Sequence, residues 1–141
     1  MKPKQPSAYH VWDGAKWVVD VEKLKPQKLE EINKAFEQEL AKGFTTSKGI
    51  TLNAKPTDYQ FYFVGKERAK SKISKGVKSQ LIARVKDHNG ASHKDIPAAD
   101  YVAMIEELEE HLESLWYQKI DLEEQVKAAA TVGELEAVKW V

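Results

Sequence analysis

The chain has 141 residues, 42% hydrophobic and 9% aromatic, a composition that supports packed cores and excludes global disorder. It contains no cysteine, which removes thiol catalysis, disulfides and thiolate zinc sites together. The formal net charge of +0 conceals an asymmetry: residues 1–96 carry 19 Lys/Arg against 11 Asp/Glu, a net of +8, and residues 97–141 carry 3 against 11, a net of −8. Opposed fields of this kind orient subunits, dock two parts of a chain or steer a partner; solvation of unrelated surfaces explains them equally well.

Residues 2–7 read as a loose lead. Neither MKPKQPSAYHVWDG nor any later stretch has the apolar run of a signal peptide or a bilayer-spanning helix, so neither export nor a membrane partner is expected. Tyr9–Trp12 and Lys16–Val19 flank Asp13-Gly14, a pair suited to the positive φ of a tight hairpin turn. From Leu24 to Lys42 the period changes. Leu29, Ile32, Phe36 and Leu40 recur at three- and four-residue steps and predict a helix with one buried stripe, Pro26 in its first turn and Gly43 as its stop.

Phe44-Thr45-Thr46 and Ile50-Thr51-Leu52 predict two strands joined through Ser47-Lys48-Gly49, and Asn53–Asp58 predicts a loop. Tyr59–Val64 has the branched and aromatic density of a further strand, and Val77–Val85 alternates as a half-buried one. KERAKSKISKG between them fits a short helix or a solvated connector. Asp87–Asp95 reads as a turn-rich junction.

After Pro97 the chain changes character. Ala98 to about Ala130 holds no glycine or proline, and Tyr101, Ile105, Leu108, Leu112 and Leu115 follow a four-three spacing that resumes at Leu122, Val126 and Ala129. Lys119 stands where the ladder skips a step. A helix of that length, roughly 50 Å, needs a hairpin, bundle or coiled-coil partner along it. Thr131 then predicts the cap of a second, short helix, with Glu134 reciprocating to the cap backbone, and Leu135, Val138 and Trp140 folding back on Val126, Leu122 or Trp116. Trp140 is expected to be buried.

The expected fold class is therefore α+β: a small N-terminal antiparallel sheet with a helix, then a long C-terminal helix and a short folded-back one. Its expected modules are residues 1–96, mixed and carrying the tryptophan hairpin, and residues 97–141, a helical packing or oligomerisation module. The helical seam and partner surface is expected at Tyr101, Ile105, Leu108, Leu112 and Leu115, with Trp116 and Trp140 locking the return.

The titratable inventory points to no enzyme and no cofactor. His88 and His93 lie with Asp87 and Asp95 in DHNGASHKD, but their spacing matches no established metal motif, and a polar turn explains them. Glu106, Glu107, Glu109, Glu110 and Glu113 make the wet side of an amphipathic helix more simply than an acid–base cluster. His111 is expected to border the seam. The physical rival is nucleic-acid binding: Lys66, Arg68, Lys70 and Lys72 follow the aromatic run Tyr59–Phe63, so that cations contact phosphates and rings stack on bases. The neutral total and the acidic end argue against it.

Residues 81–140 resemble a C-terminal domain of uncharacterised function found in bacteriophage and prophage tail-associated proteins, including tail-fibre assembly proteins. The resemblance is carried by Leu81-Ile82-Ala83-Arg84-Val85-Lys86-Asp87, Ile96-Pro97-Ala98-Ala99-Asp100, His111, Leu115, Trp116, Leu122, Val126, and the closing AAATVGELEAVKW. Trp12-Asp13-Gly14 with Trp17 resembles a short hairpin common in such phage proteins. The resemblance implies a noncatalytic tail-fibre assembly or accessory protein, or chaperone, acting by protein binding in the host cytoplasm during assembly. Its partner would be a tail-fibre or other tail protein, with a homo-oligomer as a further arrangement. The alternative is a structural or receptor-binding component kept in the virion tail. The family supplies no catalytic residues to carry over.

Overall fold

The computed structural model describes residues 2–76 and 82–141. It is a mixed α+β fold in which, among the described residues, three separate two-stranded antiparallel hairpins alternate with helices, rather than one small N-terminal sheet. Two compact units divide it: Met1–Phe36 with Trp116–Val141, and Glu37–Leu115. Both units draw on residues from either side of the composition change at 96/97.

In the first unit, strands β1 (His10–Trp12) and β2 (Trp17–Val19) pair with Trp12 opposite Trp17. The turn holds four residues, with Asp13-Gly14 at its start. Asp13 Oδ1 accepts from the backbone N–H groups of Ala15 (2.8 Å) and Lys16 (2.7 Å), and Gly14 takes φ 102°. The two indoles meet edge to face at 5.4 Å. Helix α1 (Val21–Ala41) starts three residues earlier than its apolar stripe suggests, because the Asp20 carboxylate accepts from Glu22 N–H at 3.1 Å. Pro26 therefore lies beyond the first turn, where it removes a main-chain hydrogen bond.

The core of this unit is Ile32 from α1, Leu122 and Val126 from helix α3 (Ala98–Ala128), Ala129, and Leu135 and Val138 from the returning segment, with Val21, Leu24, Leu29 and Trp140 packed around them. The return is built as its sequence suggests. Thr131 Oγ1 accepts from Glu134 N–H (3.1 Å) to open helix α4 (Val132–Ala137). The Glu134 carboxylate reaches back one residue further than the cap, to Ala130 N–H at 2.7 Å. Trp140 is half-buried rather than buried: its ring lies 6.1 Å from that of Phe36, whose other neighbour is Trp116 at 6.0 Å.

In the second unit, β3 (Phe44–Thr45) and β4 (Thr51–Leu52) form the expected hairpin after Gly43, whose φ of 72° ends α1. The next element corrects the sequence reading: Tyr59–Val64 is not a strand but part of helix α2 (Pro56–Lys75). Pro56 is pre-shaped for a first helical position, Asp58 sits at the positive end of the helix dipole and Lys72 and Lys75 at the negative end. Gly76 closes it in the left-handed conformation, φ 66°. The buried residues Tyr62, Lys66 and Ala69 recur at helical spacing. Strand propensity loses here because it measures fit to a half-buried pleated surface that this segment does not meet.

Strands β5 (Ile82–Lys86) and β6 (Ser92–Pro97) form the third hairpin. Within the expected strand Val77–Val85, residues 77–81 lie outside the described residues. The turn-rich junction is shorter than expected, for Ser92–Pro97 is strand and only Asp87–Ala91 turns, with Asp87 Oδ1 accepting from Asn89 and Ala91 N–H. Helix α3 then contributes Ala98, Tyr101, Met104, Ile105, Leu108 and Leu115 to a core shared with Leu40, Leu52, Ala54, Tyr62, Val85 and Ile96.

Candidate interaction surface

Residues two apart on a helix point about 200° away from each other, and this period sorts the basic run of α2 into two faces. Lys66 and Lys70 lie on the side of the α3 carboxylates. Lys66 is almost wholly buried, and its ammonium donates to Glu109 Oε1 at 2.6 Å; Lys70 lies 3.9 Å from Glu106. Tyr59 O–H donates to the same Glu109 oxygen at 3.3 Å. Burial pulls the Lys66 ammonium down, but the hydrogen bond and charge of Glu109 outweigh it, and its pKa ends above the usual lysine value. Burial first, and then the Glu109 charge, raises the Tyr59 phenol.

The face turned away from those carboxylates carries large exposed side chains, and its Arg68 and Lys72 edge a hollow with Ile82, Ala83 and Arg84. Phe61, Val64, Arg68, Lys72 and Lys75 fall on one stripe, Phe61 being 78% exposed and Val64 57%. Among the described residues no ion pair engages Arg68, Lys72 or Lys75. The four cations expected to contact nucleic acid are thus not brought together: Lys66 is committed to Glu109, Lys70 leans towards Glu106, and Arg68 and Lys72 share the outer face with Phe61. Read as a strand, the segment hides this surface. The helix-end signals Pro56, Asp58 and Gly76 would have revealed it.

The expected seam residues are found within the molecule's own packing. Tyr101, Ile105, Leu108 and Leu115 are buried in the core of the second unit, and Leu112 is half-buried. Gly65 is what lets α2 lie against Tyr101, since a Cβ there would collide with the phenol ring. Burial, with a smaller contribution from Tyr62, pushes the Tyr101 phenol up to about 12. His111 does border the seam, stacked on Phe44 at 4.7 Å, and burial lowers its pKa against the opposing charge of Glu39. In the first unit Trp116 is 49% exposed and Trp140 half-buried, on two sides of Phe36. Lys119, the step missing from the ladder, is held here: its ammonium lies 4.9 Å from the Phe36 ring centre, 5.3 Å from that of Trp116, and donates to Asn33 Oδ1 at 3.1 Å.

A hollow of about 450 Å³ lies in the second unit beside Asn53, Asp58, Tyr62, Arg84, Asp87, His88 and Tyr101. Its polar groups tie loops together. Tyr62 O–H donates to Lys86 C=O and accepts from Asn53 N–H; His88 Nδ1 pairs with Asn53 Oδ1 at 2.7 Å; His93 Nε2 pairs with Asp87 Oδ2 at 2.9 Å. The His93 contact, with the turn N–H groups, holds the Asp87 carboxyl below its usual range. His88 and His93 have separate partners, and among the described residues no group of three or more His, Asp or Glu is placed to hold a metal ion. No helix among them is long and apolar enough to cross a membrane. Compared with protein-family models, curated proteins and solved structures, the chain matches none.

Proposed function

We propose that this chain works by protein association rather than catalysis, as an assembly or accessory factor for a bacteriophage tail fibre. The observation that carries the association reading is the outer face of α2, where Phe61 and Val64 stand uncovered beside Arg68, Lys72 and Lys75. Large apolar groups next to cations form the kind of anchor that protein interfaces bury. The tail-fibre setting rests on the resemblance in residues 81–140.

Co-expression with fragments of phage tail fibres, followed by light-scattering mass, tests this. The expected result is a complex that Phe61→Asp abolishes, with the chain absent or substoichiometric in mature particles. Retention in particles at full stoichiometry replaces the assembly role with a structural one. Failure of every tail protein to bind overturns the setting.

A further inference from the structure

The outer stripe of α2 has a counterpart on the same unit. On α3 the exposed residues Ala99, Ala103, Glu106, Glu110 and Glu113 fall on one face, opposite the buried Tyr101, Ile105 and Leu108. The two stripes complement each other in size and in charge, and their charged residues recur at the same intervals. Arg68, Lys72 and Lys75 lie 7, 11 and 14 residues after Phe61, and Glu106, Glu110 and Glu113 lie 7, 11 and 14 residues after Ala99. Laid side by side in the same direction, the bulky Phe61 and Val64 meet the small Ala99 and Ala103, and each cation meets a carboxylate. Among the described residues Glu110 and Glu113, like the three cations, have no ion pair within the chain, while Glu106 has only the 3.9 Å approach of Lys70.

We propose that the α2 stripe docks on the α3 stripe of a second copy of this chain, and the reverse, in a reciprocal dimer. This rests on the reading of α2's outer face as an association surface and names the occupant that covers it when no fibre is bound. A two-fold axis that bisects the directions of α2 and α3 exchanges them, so one operation aligns both helix pairs in parallel. A zero net charge adds no repulsion between copies. Each stripe spans 15 residues, about 21 Å of helix. Two such contacts fall at the low end of stable interfaces, which makes the dimer concentration-dependent and sensitive to salt.

The experiment is sedimentation of the full chain alone, with no fibre present, so that its outcome is independent of any tail partner. The wild-type chain should pass from monomer to dimer with concentration, and dissociate roughly tenfold more readily at high salt. Lys72→Glu with Lys75→Glu should make it monomeric, as should Glu110→Lys with Glu113→Lys, both variants keeping the wild-type helical signal and melting transition. Mixing the two variants should restore a dimer, because both of its contacts then pair opposite charges again. A wild type that stays monomeric overturns the proposal, as does a dimer indifferent to either charge reversal or a mixture that stays monomeric. A monomer that retains a single-stranded oligonucleotide through Lys72 and Lys75 overturns it in favour of nucleic acid.

Discussion

The returning segment around α4 and the helix α2 place similar residues in opposite circumstances. Leu135 and Val138 close over Ile32, Leu122 and Val126 with hardly any surface left to water. On α2, Phe61 and Val64 are larger or as apolar, yet remain 78% and 57% exposed while a lysine, Lys66, takes the inward position. One segment spends its apolar surface on its own core, and the other keeps it available. An apolar residue serves stability only where the chain can bring a partner face to it.

The sharpest way to test this contrast is to truncate one residue in each place. Leu135→Ala should cost about 2–4 kcal/mol in denaturant unfolding, as deletion of a buried leucine does. Removing Glu109 comes next. Glu109→Ala leaves the Lys66 ammonium buried without its carboxylate, a loss of about 2–3 kcal/mol after allowing for the partial exposure of Glu109. Joint replacement by Lys66→Met and Glu109→Leu should recover most of it; a double variant no more stable than Glu109→Ala would show that the pair is not what holds α2 to α3.

A smaller effect concerns pH. His111 has a folded pKa below its ordinary 6.5, so the unfolded chain takes up the proton first. Its contribution is complete above that value and declines as pH falls from 6.5 towards the lower folded pKa, with the Glu39 charge limiting the loss. His111→Gln should flatten stability over this window and leave the loss at lower pH, as pH falls below the ordinary 3.8 and 4.5 of the Asp87 and Glu107 carboxyls, which hydrogen bonds hold lower in the fold. The smallest expected change is at Phe61: Phe61→Ala should move stability by no more than about 0.5 kcal/mol. A cost as large as that at Leu135 would remove the distinction between the two regions.

How much of this was legible follows the same divide. The closing AAATVGELEAVKW could be read because cap chemistry, helical period and burial all agree there: Thr131 caps, Leu135 and Val138 bury, and the long ladder ahead of them supplies their cover. The α1 and α3 stripes were legible for the same reason. In α2 these signals conflict. Tyr59–Val64 is a run of strand-forming residues, and the helical period is carried by Tyr62, Lys66 and Ala69, of which one is charged. No local rule pairs Lys66 with Glu109, 43 positions away. The candidate surface was hidden along with the helix. Turn signals give away the hairpins at Asp13-Gly14 and Ser47-Lys48-Gly49 but not the third, because Ser92–Pro97 is mostly polar and lacks a strand's apolar alternation; that the described hairpins do not join in one sheet depends on packing that strand patterns do not encode.

The interleaving of the first unit also sets an order of events. Leu24, Leu29 and Ile32 find their cover in residues beyond 116. On a ribosome adding about 5–20 residues per second, some 80 residues separate Phe36 from Trp116, a delay of roughly 4–16 s. During that interval the middle of the chain can settle while its leading quarter waits with a sticky flank uncovered. A nascent chain cut short before Leu122 would leave that flank bare for good, and damage near one end would be felt by proteases near the other.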